Sequence, residues 1–148
     1  TGSRTVVGYR ISIGGSGIVA VWEERLATPH SGRVLWSRRD AVAGTWSVPA
    51  PLSNEVPATD VDQQLRLLGR GAGGTMAAVW TVTPSTNLGA LVSKYSNGAW
   101  TTARVAGALS SGGRAVAINA SGQGAVVFEQ LAACNGGGDC LELQAYRF

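Results

Sequence analysis

The chain has 148 residues and a formal net charge of +3, with 45% hydrophobic and 14% charged residues. This much apolar content with so little charge indicates a compact core and excludes a disordered chain. The arginines and the single lysine, Lys94, are scattered along the chain, which argues against nucleic acid binding. No apolar run reaches the roughly 18 residues that a membrane-spanning helix needs.

Short apolar segments bounded by Gly, Ser, Asn or Pro follow one another along the whole chain, which is typical of strands joined by turns. The run Ile18–Trp22 is apolar without interruption, which predicts a strand covered on both faces. Leu141–Ala145 instead alternates, so one face of that strand should meet water. The sequence predicts no helix, and strands near 9–13, 18–24, 33–39, 46–50, 64–68, 75–82, 89–95, 99–105, 114–119, 124–130 and 140–147.

Two landmarks recur three times in the same order. The first is an aromatic residue that ends or closely follows an apolar run, found at Trp22, Trp80 and Phe128. The second is a basic residue in the next segment, found at Arg38, Lys94 and Arg147. Their spacings, 58 and 48 residues for the first and 56 and 53 for the second, agree on a period near 54. We therefore predict one all-β domain over 1–148, built from about three four-stranded antiparallel repeats near 7–53, 64–110 and 113–148, of which the last is incomplete.

The repeats resemble those of secreted bacterial β-propellers related to the sialidase-like, BNR-repeat proteins. The resemblance rests on an apolar strand ending in Val-Trp at Trp22 and Trp80, a basic-Tyr pair at Lys94, and Gly-x-Trp-Ser at Trp46. It implies propeller blades and a secreted, cell-surface or periplasmic location. The Asp-box of that family, Ser-x-Asp-x-Gly-x-x-Trp, is not matched at either of the corresponding segments, 37–46 and 93–100.

Cys134 and Cys140 are separated by five small or polar residues, three of them Gly, which lets the two sulfurs approach bonding distance. We predict a disulfide, worth about 2 kcal/mol for so short a loop, and hence an oxidising compartment. The alternative is a metal pair, but His30 is the only histidine and there is no other cysteine. No metal site and no cofactor are predicted.

The candidate ligand residues are an aromatic side chain that does not recur and the recurring basic position. Trp36 has Val92 and Ala145 as its equivalents, so it is a candidate platform for stacking against a sugar; packing is the alternative. Arg38, Lys94 and Arg147 are candidates for an anion-binding ring; a solvated strand face is the alternative. The sialidase resemblance implies an arginine cluster and a Tyr–Glu pair, but no motif assigns them, so no catalytic residue is predicted.

The leading functional prediction is a non-catalytic extracellular module that binds a glycan or a protein or builds a surface assembly. The alternative is a fragment or subunit of a sialidase-like glycan hydrolase. Since propellers close with about four to eight blades, three repeats should not close a ring alone, and a homodimer or additional blades from another chain are expected. Residues 1–7 are the candidate replacement for the outer strand that the third repeat lacks.

Overall fold

The computed structural model describes residues 4–14, 17–26, 31–52, 62–83, 90–105, 113–134 and 139–148, which form three antiparallel sheets. The first contains, in spatial order, β1 (Arg4–Gly14), β2 (Gly17–Leu26), β3 (Ser31–Asp40) and β4 (Ala50–Pro51). The second contains β5 (Asp62–Arg70), β6 (Met76–Thr83), β7 (Ala90–Ser96) and β8 (Ala99–Arg104). In the third, β10 (Gly124–Ala133) lies between β9 (Gly113–Ile118) and β11 (Asp139–Arg147). The predicted all-β architecture is confirmed.

The outer strand of the first sheet is shorter than predicted. The segment predicted at 46–50 is reduced to an isolated bridge between Trp46 and Arg39, followed by the two-residue β4. Pro49 and Pro51 have no N–H to donate, so a continuous ladder against β3 cannot form.

Residues 4–7 do not replace an outer strand of the third sheet. They begin β1, which pairs with β2 from Arg4 to Gly14. Because they continue directly into the predicted strand at 9–13, the neighbouring strand in sequence is the nearest partner, and sequential strands usually pair.

The middle sheet packs on the first sheet with one face and on the third sheet with the other. Trp80 of β6 is fully buried in a core cluster with Val21 of the first sheet. Its neighbour Val79 points to the opposite face and is buried in a second cluster with Phe128 of the third sheet. Alternate residues of β6 thus enter different cores, which explains why the strand is apolar throughout.

β2 does not have the double cover that its apolar sequence predicts. Val19 and Val21 are buried against the middle sheet, whereas Ile18, Ala20 and Trp22 are only partly buried. Among the described residues, no sheet lies on this outer face. The prediction of a strand covered on both faces is therefore wrong for β2, although it holds for the equivalent strand β6.

Polar contacts fix the first and second sheets relative to each other. The Glu23 carboxylate accepts a hydrogen bond from the Leu65 backbone N–H at 3.0 Å. The Gln63 side chain, also on β5, accepts one from the Val34 N–H at 3.1 Å. Both acceptors are at least 94% buried, and each satisfies a backbone donor that would otherwise be costly in the interface.

The predicted disulfide is present. Cys134, which directly follows β10, is bonded to Cys140 of β11, and their Cα atoms are 5.4 Å apart. In the described part of the chain, no helix is long and apolar enough to cross a membrane.

Candidate binding surface

An apolar groove of about 450 Å³ lies on the outer face of the first sheet. We call this face the head face. Its lining comes from β1, β2, β3 and the segment that leads to β4, and consists of Val6, Tyr9, Ile11, Ala20, Trp22, Ser37, Trp46, Ser47 and Pro49. Five large side chains of this face are about half exposed or more: Val6, Tyr9, Ile11, Ile13 and Trp46, at 48 to 67%. Exposed apolar surface collected in one place marks an interaction site rather than ordinary surface.

The strand geometry explains why these side chains share one face. Tyr9 lies opposite Trp22 and Ile11 lies opposite Ala20, so the pleat directs all four to the same side. The register shifts between Val6 and Gly8, which marks a β-bulge. The extra residue of the bulge lets Val6 share the face with Tyr9 although the two are three positions apart.

Hydrogen bonds hold the Trp22 indole at the wall of the groove. Its Nε1 donates to Glu24 Oε1 at 3.1 Å, and the same carboxylate accepts from Arg33 Nη2 at 2.7 Å. Burial disfavours the charged form of Glu24, but the hydrogen bonds from Trp22 and Arg33 outweigh it and hold the pKa of this carboxyl below its ordinary value of 4.5. Glu24 is therefore ionised at neutral pH and orients the indole.

The two serines that line the groove are already hydrogen-bonded within the chain. Ser37 Oγ donates to the Ser47 carbonyl oxygen at 2.7 Å and lies 3.2 Å from Ser47 Oγ. The Ser47 N–H donates to the Arg38 carbonyl oxygen at 2.8 Å. The serine hydroxyls and the Ser47 amide are thus occupied by internal partners, which leaves the Tyr9 hydroxyl and the Trp46 indole N–H as the other polar groups of a mainly apolar lining.

Repeat equivalents of Trp22 show what this position does when a sheet covers it. Trp80 and Phe128 are both 0% exposed. The Trp80 Nε1 donates to Ser93 Oγ at 2.9 Å, across its own sheet. In the first sheet, Ser37 occupies the position of Ser93, but its hydroxyl donates to the Ser47 carbonyl oxygen. The Trp22 indole therefore donates to Glu24 and not to this serine.

Trp36, the predicted stacking platform, lies between the first two sheets. Its ring contacts Tyr95 and Trp100 edge-on, with centroids 5.7 and 6.0 Å apart. Among the described residues, neither the Tyr95 hydroxyl nor the Trp100 Nε1 has a hydrogen-bond partner. Packing accounts for the position of Trp36, and its role in ligand binding stays a prediction.

The strand register places the three predicted basic residues at equivalent points of successive sheets. Each lies opposite a residue of the strand that carries the aromatic landmark; the pairs are Arg38 with Val19, Lys94 with Ala77, and Arg147 with Ala125. They share one position in the repeat but do not line the groove, and anion binding by them also stays a prediction.

Three glutamates of the described chain are engaged in structural ion pairs. Glu23 pairs with Arg25 at 2.6 Å, Glu24 with Arg33, and Glu129 with Arg114. Within the described ranges, no cluster of three His, Cys, Asp or Glu side chains is arranged to hold a metal ion.

Comparison with known proteins yields no relative. No family model matches this chain, and neither a curated protein nor a solved structure resembles it significantly. The sequence analysis did not predict this groove, because it treated Trp22 only as a landmark of the repeat. The available signal was the alternation of Tyr9, Ile11 and Ile13 with Arg10 and Ser12, which marks an apolar face on β1.

Proposed function

We propose that this chain is a non-catalytic extracellular binding or assembly module of the β-propeller type, and that it binds a protein through its head face. The observation that carries the proposal is that Trp22 is only partly buried and the paired Tyr9 is exposed, whereas their repeat equivalents Trp80 and Leu65 are buried between sheets. Two four-stranded sheets and one three-stranded sheet, all antiparallel and packed face to face, support the blade-like arrangement. The disulfide supports an oxidising, extracellular location.

The chemistry of the groove favours a protein over a glycan. A sugar offers many hydroxyls, and a site that recognises it needs polar groups free to bond them. Here Ser37 donates to the Ser47 carbonyl, and the Trp22 indole N–H donates to Glu24. Exposed Tyr, Trp and aliphatic side chains are instead the composition of the core of a protein interface.

The alternative, a sialidase-like glycan hydrolase, would require an arginine cluster and a glutamate free to act beside a tyrosine, because sialidases use a tyrosine nucleophile in place of the usual second carboxylate. Glu23 is bonded to Arg25 and to the Leu65 N–H, and Glu24 to Arg33 and Trp22. These contacts give both carboxylates structural partners, so the non-catalytic role is the one that we propose.

The proposal is tested by three measurements on dilute protein. The native chain should not hydrolyse sialosides or aryl glycosides. Sialyllactose and neutral oligosaccharides should not protect Tyr9 from acetylation by N-acetylimidazole, with the buried Tyr95 as an internal unreactive control. The dye 8-anilinonaphthalene-1-sulfonate should bind the native chain and lose most of its fluorescence gain in Trp22→Glu.

The matched control is Val42→Glu, which changes a residue that is 98% exposed on the turn after β3 and outside the groove. Its dye binding should equal that of the native chain. Protection of Tyr9 by a sugar would contradict the protein role and indicate a glycan site. Turnover that disappears when one glutamate is replaced by glutamine would contradict the non-catalytic role.

A further inference from the structure

The third sheet has an outer face that is the counterpart of the head face. Its buried face carries Val126 and Phe128, so the alternate residues of β10 point away from the middle sheet. We call this outer face the tail face. The register of the three strands places Leu141, Glu129 and Arg147 on it, together with six further residues that are all apolar: Ala115, Ala117, Ala125, Val127, Leu143 and Ala145. All six are at least partly exposed.

Repeat equivalence identifies the tail face as an uncovered packing surface. Val127 occupies the position of Val21 in the first sheet and of Val79 in the second. Val21 and Val79 are 0% exposed, whereas Val127 is partly exposed. The two inner copies of this position are covered by the next sheet along the chain.

The two internal interfaces share one design. In the first, Trp80 of the following sheet packs in one cluster with Val21 of the preceding sheet. In the second, Phe128 of the following sheet packs in one cluster with Val79. A head face therefore meets a tail face twice within this chain, and one head face and one tail face remain without a partner among the described residues.

Side-chain size also matches a head face to a tail face. At the second interface, Val116 approaches Gly69 so closely that its Cγ1 lies 2.9 Å from where a Cβ on that glycine would be. The strand register makes Ile11 the equivalent of Val116 and Ala117 the equivalent of Gly69. The free head face thus carries a large side chain where the free tail face carries a small one.

We propose that the head face of one chain binds the tail face of a second copy, so that copies associate head to tail. This inference rests on the proposed function, because it names the protein that occupies the groove. Trp22 would join Val127 of the second copy in one apolar cluster, as Trp80 and Val21 do within the chain. Two head faces would instead bring large side chains against large ones. A head-to-tail contact is heterologous, so it generates either a closed ring or an open array.

The test blocks one face at a time and then mixes the blocked chains. Trp22→Glu blocks the head face and Val127→Glu blocks the tail face. In sedimentation velocity, the native chain should associate, and each variant alone should sediment as the 15.2 kDa monomer. An equimolar mixture of the two variants retains one intact head and one intact tail, so it should form a dimer that goes no further. Val42→Glu should behave as the native chain.

Circular dichroism and tryptophan fluorescence establish that the variants fold. A second pair, Tyr9→Glu and Ala145→Glu, changes more exposed positions on the same two faces and gives the same test if a first variant fails to fold.

Other outcomes separate this inference from the proposed function. Association that is lost in Trp22→Glu but unchanged in Val127→Glu would show a head-to-head contact; it would overturn this inference and leave the groove as a protein-binding surface. A native chain that stays monomeric, or a mixture that stays monomeric, would overturn the second copy as partner, while the dye and sugar measurements decide the groove independently. Association unchanged in both variants would show that neither face mediates it; this result would overturn the head-to-tail inference and leave the groove to the dye and sugar measurements.

Discussion

Truncating the same repeat position in two sheets should have unequal costs, because only one of the two is covered. Val79→Ala removes two methyl groups from a residue that is 0% exposed between the second and third sheets. The lost transfer free energy is about 1.6 kcal/mol, and the cavity left behind raises the cost to about 2 to 3 kcal/mol. Val127→Ala makes the same chemical change on the partly exposed tail face and should cost less than about 1 kcal/mol.

Both truncations are best made in a Trp22→Glu background, so that association through the head face does not cover Val127. Urea unfolding followed by tryptophan fluorescence gives the free energy of unfolding of each variant, with the disulfide kept oxidised. The difference corresponds to roughly 3 °C in melting temperature for each kcal/mol in a domain of this size. Equal costs at the two positions would refute the assignment of Val127 to an uncovered face.

Three further predictions concern a hydrogen bond in the core, the stability of the fold at acid pH, and a glycine that lies against the backbone of the third sheet. Ser93→Ala should lower the free energy of unfolding by about 1 to 3 kcal/mol, since it leaves the buried Trp80 indole N–H without its acceptor; Ser93→Thr, which keeps a hydroxyl, should recover part of this in the same urea titration. Folding lowers the pKa of Glu24, so the ionised carboxylate stabilises the folded chain at pH values above its unfolded pKa near 4.5, and this stabilisation is lost as the pH falls through the folded pKa. Glu24→Gln should therefore make the free energy of unfolding less dependent on pH on the acid side. An unchanged dependence would contradict this. Gly71→Ala should destabilise by more than about 2 kcal/mol in thermal unfolding, because a Cβ there would lie 2.4 Å from the Ile118 carbonyl oxygen, and a native-like melting temperature would contradict the close packing of β5 on the third sheet.

The strands were predictable because each is a short apolar segment closed by turn residues, and their positions in three repeats reinforce one another. The pairing within each sheet followed from sequential order. What the sequence could not supply was which faces are covered. Ile18–Trp22 and Met76–Thr83 read alike, since each repeat carries the side chains for two interfaces whether or not a neighbouring sheet is present.

The candidate site shows the same limit. A recurring aromatic residue predicts packing, and Trp80 and Phe128 follow that rule. Trp22 departs from it because no sheet among the described residues covers its face, and no local pattern encodes that. Trp36 drew attention because it does not recur, yet its contacts with Tyr95 and Trp100 come from the neighbouring sheet and were not visible in the sequence.

The most direct test of the account is the molar mass of the unmodified chain in solution. Light scattering across the micromolar range, under non-reducing conditions, measures whether the exposed head and tail faces engage each other. Head-to-tail association predicts a molar mass that rises with concentration above 15.2 kDa and reaches a multiple of it. A stable, folded 15.2 kDa monomer at every concentration would contradict it.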